Sequence, residues 1–351
     1  MRLLTTSLAA ALARAAPVCV AFHNQHKSAG VTFTSTVWDT PTVASRLSAH
    51  EWKIERGRWQ CDHKQWNATT KACEYSLWTR PPPRDLPFRT QPRADHARPP
   101  MLLFGGFALA AAELPAFARA RCAWLTVYRE PLARLVSAFY YCKHRRYDHL
   151  CASAELDARN ATLREFARHW GNYALRDLLL HPPLARRLLP ANHTSPQRPD
   201  DSPFRNRRSV WRANRRALAG GDDPATAAGR ANLDAAIALL RAGTLYDAVG
   251  VLERWDATCA LFDAAAPLVE PWCEALANHT VDHGSAKWKE LERAELARAR
   301  DDADVRAAIA GDLELYNDAV LPLFEEMQAQ RRAVGDGRYT WPPRGAGGGY
   351  S

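Results

Sequence analysis

The chain has 351 residues, 47% of them hydrophobic, enough for one large α/β domain or two small ones around a sizeable core. Its 47 Lys and Arg against 38 Asp and Glu leave a net charge of +9 and a pI near 9.3, which favours anionic partners such as a nucleotide or an acidic glycan. No nucleic-acid motif accompanies the charge, so that class is set aside, and no stretch approaches the ~18 apolar residues of a membrane span.

Residues 1–16 begin with a basic residue and a short apolar run, Leu3 to Ala13, that Arg14 ends. This reads as a signal-like segment or a truncated anchor. Pro17 to Phe22 is apolar and β-rich, a candidate buried strand. It runs into Lys27-Ser28-Ala29-Gly30-Val31-Thr32 and then a stretch expected to be helical to about Ser48. Small residues after a strand let the backbone turn tightly and aim several N–H groups at one spot. Lys27 adds a point charge, and Ser28 and Thr32 add hydroxyls. This is phosphate-cradle chemistry, although it lacks the Gly-x4-Gly-Lys-Ser/Thr spacing of a Walker loop.

Residues 51–100 are rich in Trp, Pro and charge and read as an irregular insertion that lines an acceptor cleft. Met101 to Gly106 is the next short strand, and Phe107 to Ala120 a helix. Cys122 to Tyr128 is an apolar, β-branched run suited to a central parallel strand. Arg129 then stands at its carboxyl end, where open α/β sheets bind ligands. Pro131 marks the first turn of a helix. Leu132, Leu135, Val136 and Phe139 fall on one face of that helix; Arg134, Ser137 and Tyr141 fall on another. Arg129 with Ser137 suits a dianionic phosphate. The alternative is that Arg129 only pairs with Glu130 or caps the element.

Lys143 to Arg146 reads as a solvated charge run or as a basic rim for an acidic acceptor. Leu163 to Leu189 reads as mostly helical, and 195–230, with many Pro, Asp, Gly and Arg, as a flexible insertion. Ala231 to Leu240 is an amphipathic helix, Thr244 to Leu252 a further strand, and Leu313 to Met327 a closing helix. Residues 331–351, Gly-rich at the end, are expected to be disordered. Of eight cysteines, three pairs lie close in sequence: Cys61 with Cys73, Cys142 with Cys151, and Cys259 with Cys273. Disulfides are expected there, and buried thiols at Cys19 and Cys122. Four N-glycosylation sequons, at Asn67, Asn160, Asn192 and Asn278, agree with an oxidising secretory lumen.

Arg129-Glu130-Pro131-x-x-Arg134-x-x-Ser137-x-Phe139 resembles the 3′-phosphate motif of sulfotransferases that use 3′-phosphoadenosine 5′-phosphosulfate (PAPS). Its pattern is that of Golgi carbohydrate sulfotransferases, of the heparan sulfate 2-O- and galactosylceramide type: Arg-Asp/Glu-Pro-x-x-Arg-x-x-Ser-x-Tyr/Phe. Lys27, Ser28, Ala29, Gly30 and Thr32 match the 5′-phosphosulfate loop of the same family, and Val31 replaces a hydroxyl residue there. The strand ending at Glu253-Arg254 and the helix from Leu313 resemble two further stretches, so the likeness spans about residues 17–330.

That resemblance implies a three-layer α/β sandwich with a mainly parallel central sheet, the P-loop-NTPase-like sulfotransferase fold, over 17–330. It implies PAPS as sulfuryl donor and no metal. Lys27 would stabilise the leaving phosphate, with Ser28, Ala29, Gly30, Val31 and Thr32 around it. Arg129 and Ser137 would hold the 3′-phosphate, and Glu253 and Arg254 would be structural. The acceptor would be a carbohydrate, including an acidic polysaccharide, and the location the Golgi lumen, membrane-anchored, or the secreted space. A general base is not assigned. Where relatives carry a His, this chain has Phe104 to Phe107, which leaves His96, Asp95, His63, Glu51 and His23 as candidates, each read as a surface residue. A sulfotransferase for protein tyrosine or a small molecule, and a non-catalytic nucleotide- or glycan-binding member of the fold, are the competing readings.

Overall fold

The computed structural model describes residues 19–23, 25, 28, 122–144, 151, 156–179, 221–267 and 286–334, together with the backbones of four further short strands. The protein is α/β, rich in helix, with a small parallel sheet at its centre. Seven strands are present among the described residues: β1 (Cys19–His23), β2 (Ser48–Ala49), β3 (Lys53–Glu55), β4 (Arg58–Gln60), β5 (Met101–Gly105), β6 (Cys122–Tyr128) and β7 (Ala248–Val251). Five of them form one sheet in the order β2-β5-β1-β6-β7, and every neighbouring pair is parallel. β3 and β4 form a separate antiparallel pair inside the segment expected to be irregular.

β6 is buried at every position, as its unbroken apolar run requires of a strand covered on both faces. β1 lies beside it in register, Cys19 opposite Cys122 and His23 opposite Thr126. β7 pairs on the other side, Leu125 opposite Ala248 and Tyr128 opposite Val251. β7 is shorter than the sequence suggested: 244–247 precede it as bends and irregular chain, and Leu252 already belongs to the 3-10 segment Leu252–Arg254.

Helix α1 (Pro131–His144) follows β6 and starts at Pro131, as expected. Glu130 caps it, its carboxylate accepting from the backbone N–H groups of Leu132 (3.1 Å) and Ala133 (2.7 Å). Arg134 and Ser137 are buried along with the apolar face, so α1 is covered on more sides than its pattern indicates.

The stretch expected to be one helix from Leu163 is two, α2 (Leu163–Trp170) and α3 (Tyr173–Leu179). They are separated by Asn172, whose φ of 51° lies in the left-handed region that Asn tolerates. Helix α4 (Ala227–Arg241) begins four residues before its predicted start and is capped by Thr226. The turn before it is ordered through Asp222, which pairs with Arg176.

Then come α5 (Trp255–Ala265), α6 (Ala286–Arg300), α7 (Ala303–Ala308), α8 (Ala310–Leu315), a π-helical stretch (Tyr316–Val320) and α9 (Leu321–Val334). α9 continues past residue 330 to Val334.

Two apolar clusters result. One joins β1, β6 and β7 to α3, α4, α5 and α9; the other joins α1 to α2, α6 and α7.

Cysteine pairing departs from the local pattern. Cys142 and Cys151 form the expected disulfide, their Cα atoms 5.0 Å apart. Cys259, expected to pair with Cys273, is instead a buried thiol, because its position on α5 faces the sheet cluster. Cys122 is in a disulfide rather than being a buried thiol. Burial was a poor guide there, since a fully buried sulfur is equally compatible with a thiol and with a bridge. Cys61 and Cys73 lie outside the described residues, as do 1–18, Phe107 to Ala120 and 195–220.

Candidate functional site: the carboxyl edge between β1 and β6

After β1 the chain moves to β2 and β5 on one side of the sheet; after β6 it moves to β7 on the other. The boundary between β1 and β6 is therefore the point where the winding reverses, the place where open α/β sheets take ligands in a crevice at the carboxyl ends of the strands. Adjacent strands stand about 4.8 Å apart, so the segments leaving β1 and β6 start side by side. Thr126 fixes this edge, its hydroxyl donating to the His23 carbonyl at 2.9 Å.

Of the loop after β1, Gln25 and Ser28 are described; Lys27, Ala29, Gly30, Val31 and Thr32 lie outside the described residues. The Ser28 N–H donates to the Gln25 carbonyl (3.1 Å), closing a turn. Ser28 is 0% and Gln25 1% exposed, yet among the described residues neither the Ser28 hydroxyl nor either end of the Gln25 carboxamide has a hydrogen-bond partner. Leaving such groups buried and unmatched costs about 1–3 kcal/mol each.

After β6, Arg129 is half-buried. Burial lowers the pKa of its guanidinium from the ordinary value, against the opposing pull of Glu253, Glu292 and Glu130. Glu253 also accepts the Glu130 backbone N–H (3.0 Å) and the Tyr316 hydroxyl (3.3 Å), tying the end of β7 to the start of α1 and to the π-helical stretch. Arg254 pairs with Glu325 on α9 at 3.1 Å and lies over the Phe324 ring. Glu253 and Arg254 thus brace the edge from one side.

Arg134 does not face the crevice as a second cation. It is 2% exposed, 3.4 Å from Asp312, with its guanidinium 4.9 Å from the centre of the Tyr173 ring. Asp312 also accepts the backbone N–H groups of Ala174 (3.2 Å) and Leu175 (2.9 Å), capping α3, while Asn172 accepts the Asp312 N–H (3.0 Å). Burial pushes the Asp312 carboxyl up, and Arg134 with the two N–H groups pulls it back. Ser137 is buried one turn beyond Arg134.

His23 is not at the surface. It is fully buried, with Nδ1 2.6 Å from the Tyr246 hydroxyl and Nε2 2.8 Å from Asp177. The Tyr128 hydroxyl lies near Tyr246 and Gln25 without a well-formed hydrogen bond to either, and burial raises its pKa. Through these contacts His23 joins β1 to α3 and to the turn before β7. Glu51, His63, Asp95 and His96 lie outside the described residues.

Sequence reasoning placed Arg129 directly after the β6 strand and anticipated both β1 and β6. It missed Asp312, Asp177 and Tyr246, which carry no motif and sit far along the chain from the residues they touch. No protein-family model matches the chain, and no curated protein does.

Proposed function

We propose that the protein is a PAPS-dependent sulfotransferase of a three-layer, P-loop-NTPase-like fold, acting on a hydroxyl of a carbohydrate acceptor in the secretory lumen. The observation that carries this reading is the adjacency of β1 and β6 at the reversal of the winding. Two sequence motifs a hundred residues apart thereby leave the sheet from one edge. A nucleotide phosphorylated at both ends of its ribose needs that arrangement, one cradle for each phosphate.

The residues present fit such a ligand. Ser28 and Gln25 hold buried polar atoms that lack partners among the described residues, and Arg129 brings a half-buried cation to the same edge. PAPS supplies the sulfuryl group when bound. In this reading Lys27 and the amides of 28–32 hold its 5′ end and neutralise the departing phosphate, and Arg129 with Ser137 holds the 3′-phosphate. Because Arg134 is committed to Asp312, Arg129 bears the charge recognition of that phosphate within its motif.

Incubation with labelled PAPS and a panel of neutral glycans, acidic polysaccharides, tyrosyl peptides and small alcohols tests the assignment. Label transferred to a glycan supports it. Transfer to peptide or alcohol alone redirects it, and nucleotide binding without transfer makes the protein a non-catalytic binder.

A further inference from the structure

A concave feature lies on the far part of α1, away from the sheet edge. It is an open cleft of about 560 Å³ between the carboxyl half of α1, the carboxyl half of α6 and the turn before α2. Its floor carries Phe139, Tyr140 and Leu163, and its walls carry Lys143, Glu295 and Arg298. The charges offset one another: Arg298 pairs with Glu295, and the Lys143 ammonium sits 4.5 Å from the centre of the Phe139 ring. An aromatic floor with carboxylate and cation donors and acceptors around it suits a neutral, hydroxyl-rich ligand rather than an ion.

Asn160 stands on the rim of this cleft. It is the first residue of the sequon Asn160-Ala161-Thr162 and is exposed. Its Nδ2 donates one hydrogen to Asp157 Oδ2 at 2.8 Å, which fixes the orientation of the carboxamide. The second hydrogen on Nδ2 is the one that glycosylation replaces. The Thr162 hydroxyl and backbone N–H are taken up by the capping box with Glu165, which a sugar on Asn160 leaves intact.

We propose that Asn160 carries an N-linked glycan whose first N-acetylglucosamine unit lies in this cleft. The proposal rests on the lumenal reading and is independent of sulfuryl transfer. The donor is a lipid-pyrophosphate-linked oligosaccharide. A bond forms between Nδ2 and C1 of the sugar, the bond from C1 to the pyrophosphate oxygen breaks, and the lipid pyrophosphate leaves with the electron pair while Nδ2 loses one proton. The remaining N–H keeps its bond to Asp157. The sugar then lies beside Tyr140 and the Lys143 side chain that covers the Phe139 ring, and its hydroxyls meet Glu295 and Arg298.

The test is full-length protein secreted from a eukaryotic cell, mapped by mass spectrometry after release with peptide N-glycanase in heavy-oxygen water. Asn160 should be occupied. Release from the folded protein should be about tenfold slower at Asn160 than at the occupied sequons among Asn67, Asn192 and Asn278, the factor that ~1.4 kcal/mol of seating makes. Arg298→Ala, at an exposed position, should bring release at Asn160 closer to the others, and denaturation should equalise all of them. Other sequons occupied with Asn160 bare would overturn the proposal while leaving the lumenal reading standing. Equal release from the folded wild-type protein, or no effect of Arg298→Ala, would overturn the seat. A secreted protein bare at all four sequons would overturn both.

Discussion

Asp312→Ala is the perturbation on which the account of the site's scaffold is most exposed. The carboxylate is 1% exposed and serves three donors: the Arg134 guanidinium and the backbone N–H groups of Ala174 and Leu175. Removing it leaves a guanidinium that is 2% exposed without its counter-charge, and breaking a buried pair from one side costs about 3–5 kcal/mol. Loss of the cap on α3 adds about 1 kcal/mol. A total near 4–6 kcal/mol is a large part of the ~5–15 kcal/mol by which domains are stable, so the variant should be close to unfolding at ambient temperature. Arg134→Met should be milder, about 2–3 kcal/mol, because Asp312 keeps both N–H donors. Combining Arg134→Met with Asp312→Asn should recover part of the loss seen for Asp312→Ala, since no buried charge is then left alone. Urea unfolding followed by linear extrapolation measures all three. A loss below about 1 kcal/mol for Asp312→Ala would refute the claim that this carboxylate holds the motif arginine inside the protein.

Three further outcomes are expected. Glu130→Ala should destabilise by about 0.5–2 kcal/mol in the same urea assay, because it uncaps α1 at Leu132 and Ala133. Gly250→Ala should cost about 1–3 kcal/mol by thermal or urea unfolding: its Cβ would meet Thr258 Cγ2 at 2.3 Å, and Thr258 is held in place by two hydrogen bonds to Val251. Hydrogen bonds from Thr162 lower the pKa of Glu165, so its contribution is present above the unfolded value of about 4.3 and is lost as pH falls through the lower folded value. Glu165→Gln should therefore remove part of the acid sensitivity of α2, read by amide NMR between about pH 5 and pH 2.

What was legible in the sequence followed from periodicity and from single residues with strong backbone preferences. β6 was readable to its ends because a strand buried on both faces must be apolar throughout, and α1 because Pro131 can open a helix but not continue one. The break at Asn172 was signalled by Gly171-Asn172, residue types that end helices, but the helix formers on either side masked it. Cys259 looked paired by proximity in sequence, but the face of α5 on which it lies turns it into the core. His23 was read as a surface residue because a lone polar side chain after an apolar strand carries no sign of its partners. Those partners, Asp177 and Tyr246, reach it only once α3 and the turn before β7 have folded onto the sheet.

The 3′-phosphate assignment of Arg129 is the central claim, and nucleotide binding by calorimetry tests it most directly. Arg129→Ala removes a charge-assisted hydrogen bond worth about 1.5–3 kcal/mol, so PAPS affinity should fall roughly ten- to a hundredfold. Affinity for adenosine 5′-phosphosulfate, which lacks the 3′-phosphate, should stay within about twofold of wild type. Lys27→Ala should weaken both nucleotides, because it acts at the end they share. An Arg129→Ala protein, folded by circular dichroism, that loses affinity for both nucleotides equally, or for neither, would contradict the assignment.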